Sequence, residues 1–192
     1  MGTTQPIRKK EELEKFTDYY KYIEPSARNY ALVILGLHTA LRISDILNLQ
    51  WKDVYHFEKK EFHTHLFVCE QKTKKENTVI LNARVKAALS SYMTTRQCTA
   101  NDFIFTKNTD YSQPLNRTQA YRIIRRAAEE SLQLEHISCH SLRKTFGYHA
   151  WKQGVAPAML MEIYNHSSYS ITKRYLGIDQ DEKDDIFLKI EI

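Results

Sequence analysis

Two arginines, Arg42 and Arg143, a histidine three positions before the second, His140, and a distant tyrosine, Tyr175, are residue types suited to attack on an anionic ester. A guanidinium is planar and permanently charged, and its paired N–H donors match the non-bridging oxygens of a phosphate in a way lysine does not reproduce. His140 and Arg143 stand at i and i+3, so a helix presents both on one side. His140 is then a proton-transfer or hydrogen-bonding group beside an anion clamp formed by the two arginines. The Tyr175 hydroxyl is an oxygen nucleophile whose ordinary pKa of about 10 calls for nearby positive charge to favour the phenolate. Singly, these signals are weak. An H-x-x-R occurs by chance in many proteins, and Arg42 has a competing partner in Asp45, one helical turn on.

Four short stretches join them: Thr39-Ala40-Leu41-Arg42-Ile43-Ser44-Asp45, Gln71-Lys72-Thr73-Lys74-Lys75, His140-Ser141-Leu142-Arg143, and Asn165-His166 followed nine positions later by Tyr175. In this order and spacing, residues from about 28 to 177 resemble the catalytic domain of tyrosine recombinases, the family of phage integrases and Xer-type resolvases. The resemblance implies a mainly α fold with a small antiparallel β-sheet (α+β), the tyrosine recombinase catalytic-domain fold. It implies a site-specific DNA recombinase of the integrase type, cleaving and rejoining strands through a 3′-phosphotyrosyl bond to Tyr175. Within it, Lys72 matches the hairpin lysine that protonates the leaving 5′ oxygen, and His166 matches a histidine that donates a further hydrogen bond to the phosphate. Lys74 and Lys75 are then expected contacts to the DNA backbone. No metal and no cofactor is expected, because guanidinium groups supply the charge.

Two positions depart from the family pattern. Ala40 stands where glycine is usual before Leu41, and Asn165 where glycine is usual before the second histidine. Alanine keeps the first site small, and asparagine is the non-glycine residue that best tolerates positive φ. Most members also carry a helical core-binding domain ahead of this one. About 25 residues precede the resemblance here, as expected of a minimal recombinase or an isolated catalytic domain.

The elements that must position these residues are legible in outline. Residues 9–22 are charged and aromatic with a helical look, and Pro25 suits the first turn of a new helix. The run Tyr30 to Leu37 is apolar nearly all round and predicts a buried helix, followed by a helical stretch over 42–49 that carries Arg42. Between 61 and 81, Leu66-Phe67-Val68 and Thr78-Val79-Ile80-Leu81 flank polar residues and predict a hairpin with a lysine-rich turn. Residues 83–95 are helical in pattern, and 101–114 are turn-rich around the short Phe103-Ile104-Phe105. Asn116 can cap a helix with Ala120, Ile123, Ile124 and Ala127 on one face and Arg122, Arg125 and Arg126 on another. That basic stripe has no acidic partner at i−4 and is expected to face DNA. Helices over 140–153, 156–164 and 168–175 complete the C-terminal half.

Composition agrees with a nucleic-acid partner. The chain of 192 residues carries +5, but residues 179–192 hold six acidic and two basic side chains, leaving +9 on residues 1–178. The resemblance implies double-stranded DNA as the partner and a homo-tetramer on paired sites as the assembly. No uncharged apolar run is long enough for a membrane span, and the odd number of cysteines, three, fits a reducing compartment, so a cytoplasmic protein is expected; the resemblance implies one that is nucleoid-associated and of bacterial or phage origin. Five scattered glycines form no Walker-type loop, and neither His63, His65 and Cys69 nor His136, Cys139 and His140 has the paired spacing of a zinc module. Residues 1–178 are read as one catalytic domain, and 179–192 as a tail that docks on a neighbouring protomer or folds back on its own domain. A type IB topoisomerase-like relaxing enzyme and a DNA-binding protein with silenced catalysis are the competing functions. A missing catalytic residue would favour the second, and none is missing.

Overall fold

The computed structural model describes residues 4–71, 74–108, 110–134 and 136–190. An N-terminal segment leads into α1 (Lys10–Asp18), which runs on through a wider helical turn over Tyr19–Ile23. Ser26 then starts α2 (Ala27–Thr39) by accepting the Asn29 backbone N–H on its side chain. Pro25 therefore lies ahead of the cap rather than in the first turn, because the serine oxygen satisfies a donor that proline could only omit. Ala31 to Leu37 are buried on every side, as their apolar run predicts. Helix α2 is the central element, packed between α5 (Ala83–Met93) and α7 (Cys139–Lys152).

The stretch expected as helical over 42–49 is helical only in α3 (Ile43–Leu47), with Arg42 extended ahead of it, and a separate short α4 (Trp51–Val54) follows. Two ribbons follow. Strands β1 (Tyr55–His56) and β2 (Glu61–Phe62) form a short one, and β3 (His65–Cys69) pairs antiparallel with β4 (Glu76–Ile80) in the register Leu66↔Val79 and Val68↔Asn77. Along β3 the alternation buries Leu66 and Val68 and exposes His65, Phe67 and Cys69, which is what a period of two does on a one-sided sheet. Phe103-Ile104-Phe105 forms no strand: Phe103 makes an isolated bridge to Gln50, and Ile104 and Phe105 are buried.

Asn116 caps α6 (Arg117–Leu132), accepting from the Gln119 N–H while the Gln119 side chain accepts from the Asn116 N–H. Helices α8 (Pro157–Tyr164), α9 (Tyr169–Leu176) and α10 (Asp179–Lys189) close the chain. A second apolar cluster of Ala40, Tyr148, Leu160, Tyr164, Leu176 and Ile178 binds α7, α8 and α9 together. Fully burying a leucine contributes about 1.5–3 kcal/mol, so Leu160 and Leu176 anchor α9 to the helix that carries His140 and Arg143. Among the described residues, no helix is long and apolar enough to cross a membrane.

Candidate active site

Arg143 enters the site from the second turn of α7, almost wholly buried. Its guanidinium donates to the Ala40 carbonyl and lies over the Tyr164 ring, 4.7 Å from the centroid. The Tyr164 hydroxyl in turn donates to the Arg143 backbone carbonyl at 2.6 Å, so a single tyrosine supports the arginine at both ends. Ala40 adopts φ 54° and ψ 16°, the left-handed conformation that glycine adopts without a penalty. That turn aims its carbonyl at Arg143 and sends the next residues, Leu41 and Arg42, back toward the site. Asn165 takes the same conformation, φ 55°, at the end of α8, as an asparagine in a glycine position can.

Arg42 comes from the opposite side and pairs with Glu70, whose side chain has no solvent exposure. Glu70 also lies 3.7 Å from Arg143 and accepts from the Asn165 side-chain amide at 3.3 Å. The competing local pair of Arg42 with Asp45 does not form. Asp45 instead accepts the Gln71 backbone N–H at 3.0 Å, and burial raises its pKa. The hairpin places Glu70 through backbone bonds across its turn, from the Glu70 N–H to the Lys75 carbonyl and from the Lys74 N–H to the Glu70 carbonyl. Lys72 lies outside the described residues.

Tyr175, on the last turn of α9, packs against Tyr164 at 5.3 Å and edge-on to His166 at 5.3 Å. Burial raises its pKa, the Arg143 and Arg42 charges pull it down, and burial outweighs them so that the net shift is upward. The positive field that favours a phenolate is therefore in place, while Glu70 neutralises part of it in the DNA-free protein. His166 bonds through its Nδ1 edge to the Thr172 hydroxyl at 3.0 Å, which fixes the ring. Burial, then the cations Arg143 and Arg42, lower its pKa. His140 stands at the rim of the site, its pKa lowered by desolvation first and then by Arg117, Lys144, Arg143 and Arg42. The neutral forms of both imidazoles are favoured until an anion arrives to balance the cations.

The match to the family model, "Phage integrase family", covers residues 8–182. The chain belongs to the phage integrase family. It is 42% identical over 181 residues to the probable integrase/recombinase YoeC of Bacillus subtilis, covering 94% of this chain and 93% of that one. It is 25% identical to a tyrosine recombinase of Pseudothermotoga lettingae, over 85% of this chain and 54% of that protein. It also superposes with TM-score 0.76 and 22% identity on the XerH site-specific recombinase in a post-cleavage complex with palindromic difH substrate, over 96% of this chain and 53% of that one. The chain thus spans nearly the whole Bacillus protein but about half of the other two. The mainly α fold with small antiparallel ribbons, expected from the motifs, is the fold of these recombinases.

Around this centre the structure rearranges the expected DNA-facing cations. Lys75 is exposed and lines a cleft of about 400 Å³ with Asn165 and His166, while Lys74 is exposed on the hairpin turn. The stripe on α6 is not a row of unpartnered charges. Arg125 pairs with Glu129 one turn on, and Arg126 with Glu24 at 2.8 Å, so their mutual repulsion is relieved within the protein. Arg122 lies in a separate cleft with Arg28 and Lys107. The face of α6 that borders His140 carries Arg117, Thr118 and Tyr121, which line a cavity of about 540 Å³ with His136, Ser138 and Cys139. Burial there pushes the Cys139 thiol up to about 11, keeping it protonated. Sequence reading passed over Glu70, Tyr164 and Arg117. An acidic residue at a strand end and a tyrosine at a helix end look like surface and packing, and only Arg117, first residue of a capped basic helix, carried a readable signal.

Proposed function

We propose that this chain cleaves and rejoins DNA at specific sites through a covalent 3′-phosphotyrosyl intermediate. What supports the reading is that Arg42 and Arg143, from distant parts of the chain, share the Glu70 carboxylate, while Tyr175 packs on His166 and on the same Tyr164 ring that lies under the Arg143 guanidinium. The Tyr175 oxygen attacks the phosphorus, Arg42 and Arg143 stabilise the added negative charge, and His166 and His140 donate hydrogen bonds to the non-bridging oxygens. The leaving 5′ oxygen takes its proton from Lys72, as the family resemblance implies, and reversal with a new 5′ hydroxyl completes the exchange. Lys74, Lys75, Arg117 and Arg122 hold the flanking phosphates, with Arg125 and Arg126 joining where DNA displaces their carboxylate partners.

Double-stranded DNA is the partner, and work on paired sites calls for four copies at the nucleoid. The tail is suited to link them. Helix α10 is anchored at its base by buried Ile178, but Ile186, Phe187, Leu188 and Ile190 are 56%, 79%, 82% and 58% exposed, so its own domain does not cover them. Deleting residues 180–192 should preserve binding to a single site and abolish cooperative assembly.

A nicked duplex tests the chemistry. Wild-type protein should become trapped on the 3′ phosphate, and Tyr175→Phe should bind the duplex as tightly without becoming attached. Equal trapping of the two would remove Tyr175 from its role. Products that are relaxed but never rearranged at a defined site would turn the reading to a topoisomerase.

A further inference from the structure

The segment Thr4–Arg8 is strapped across α7, the helix that carries Arg143. The Ile7 N–H donates to the Thr145 hydroxyl at 2.9 Å, the Ile7 carbonyl accepts from His149 Nε2 at 3.0 Å, and the Ile7 side chain is fully buried. At its far end Arg8 leaves α7 for α9. Its Nη2 donates to the carbonyl of Gly177 at 2.7 Å, its Nη1 meets Asp181 at 3.0 Å, and its guanidinium lies 5.3 Å from the centroid of the Tyr148 ring. Gly177 is the left-handed residue that ends α9, two positions beyond Tyr175. At the near end, the Thr4 carbonyl accepts from Lys144 Nζ at 2.7 Å, and that ammonium lies 5.2 Å from the centroid of the Tyr175 ring. One five-residue strap therefore grips the nucleophile's helix at its end and the cation on the nucleophile's ring, both from the helix that holds His140 and Arg143.

We infer that this strap, acting through Arg8 and Lys144, positions Tyr175 against the arginine clamp. Arg8 is a positioning residue: it touches neither the reacting phosphate nor the phenol oxygen. Its guanidinium occupies the terminal carbonyl of α9, where a cation is also favoured by the helix dipole, and the aromatic face beneath it keeps that charge in place. Lys144 bears on the Tyr175 ring itself, so the strap holds both the end of the nucleophile's helix and the cation on the nucleophile's ring. Small displacements of an attacking atom carry large rate penalties, and this gives the strap leverage over cleavage without contact with DNA.

The inference rests on Tyr175 being the nucleophile, and the test separates the two. Single-turnover attachment to a nicked duplex is measured at saturating DNA, together with DNA affinity and thermal unfolding, for wild type, Arg8→Gln, Arg8→Lys and Lys144→Met. Arg8→Gln and Lys144→Met should each attach on the order of tenfold or more slowly, while folded at the assay temperature and with unchanged affinity. Arg8→Lys, which retains a donor for the Gly177 carbonyl, should recover most of the rate. A duplex with a 5′-bridging sulfur, whose leaving group needs no proton, should leave the Arg8→Gln defect in place. Wild-type attachment rates for Arg8→Gln, a loss explained by weaker DNA binding, or rescue by the sulfur would each overturn the inference. Failure of wild type itself to attach would instead sink the assignment of Tyr175.

Discussion

Arg42 and Glu70 form an ion pair whose carboxylate is wholly removed from solvent and is shared with Arg143 at 3.7 Å. The two guanidinium groups that we propose clamp a phosphate are thereby held near each other by one internal carboxylate. Without that carboxylate the arginines would repel across a low-dielectric site, and in the proposed complex a phosphate would take over part of its task.

Removing that carboxylate should be costly. Glu70→Ala leaves the buried Arg143 and the partly buried Arg42 without their carboxylate, and breaking a buried pair in this way destabilises by about 3–5 kcal/mol. Urea unfolding should show the loss, and sulfate or phosphate should restore more stability to this variant than to wild type. An equal response of the two proteins to added anion would mean that Glu70 does not stand in for one.

Arg117 should matter more to DNA than Arg126. Arg126 already has Glu24 at 2.8 Å on an exposed surface, whereas Arg117 borders the cavity beside His140. Arg117→Ala should weaken binding across DNA sequences and lower the log–log salt slope by about 1. Arg126→Ala should change both little, since an exposed pair is worth about 0–1 kcal/mol. Binding measured over a salt series decides, and the reverse ranking would return the DNA face to the original stripe.

Gly147 allows α7, α8 and α9 to meet. A Cβ there would collide with the Tyr164 hydroxyl and stand 2.6 Å from Leu176 Cδ2. Gly147→Ala should therefore destabilise by about 1–3 kcal/mol, the range for overpacking, and disturb both the Tyr164 support of Arg143 and the residue beside Tyr175. Covalent attachment should fall in the fraction that remains folded. A fully active, fully stable alanine variant would show that these helices separate more easily than their packing suggests.

Acidification should destabilise the DNA-free protein. The pKa values of His140 and His166 lie below the ordinary 6.5, from desolvation first and then neighbouring cations. The unfolded chain thus binds protons more readily, and stability that is complete above pH ~6.5 is lost as pH falls through the folded-state values. Urea midpoints between pH 7.5 and 5 should decline. The double variant His140→Gln, His166→Gln should decline less, retaining the share due to His38, whose pKa burial also lowers. An identical slope in both proteins would place the titration elsewhere.

The residue chemistry of the candidate site was written in the sequence, because the types that handle a phosphodiester, arginine, histidine and tyrosine in a fixed order, do not depend on the fold to be recognised. Local geometry was also legible where it rests on near neighbours. The Asn116 cap, the alternation through Leu66 and Val68, the buried run from Ala31 to Leu37 and the positive φ of Asn165 each follow from a few adjacent side chains. What only the tertiary structure decided is which charges meet. Glu70 reads as an ordinary strand-end carboxylate until the hairpin folds it between Arg42 and Arg143. Arg126 reads as free until Glu24 arrives from another element, and Arg8 reads as a surface cation until the chain returns to set Gly177 beside it. Periodicity and propensity are properties of neighbouring residues, whereas the partner of a charge is set by how the chain closes on itself.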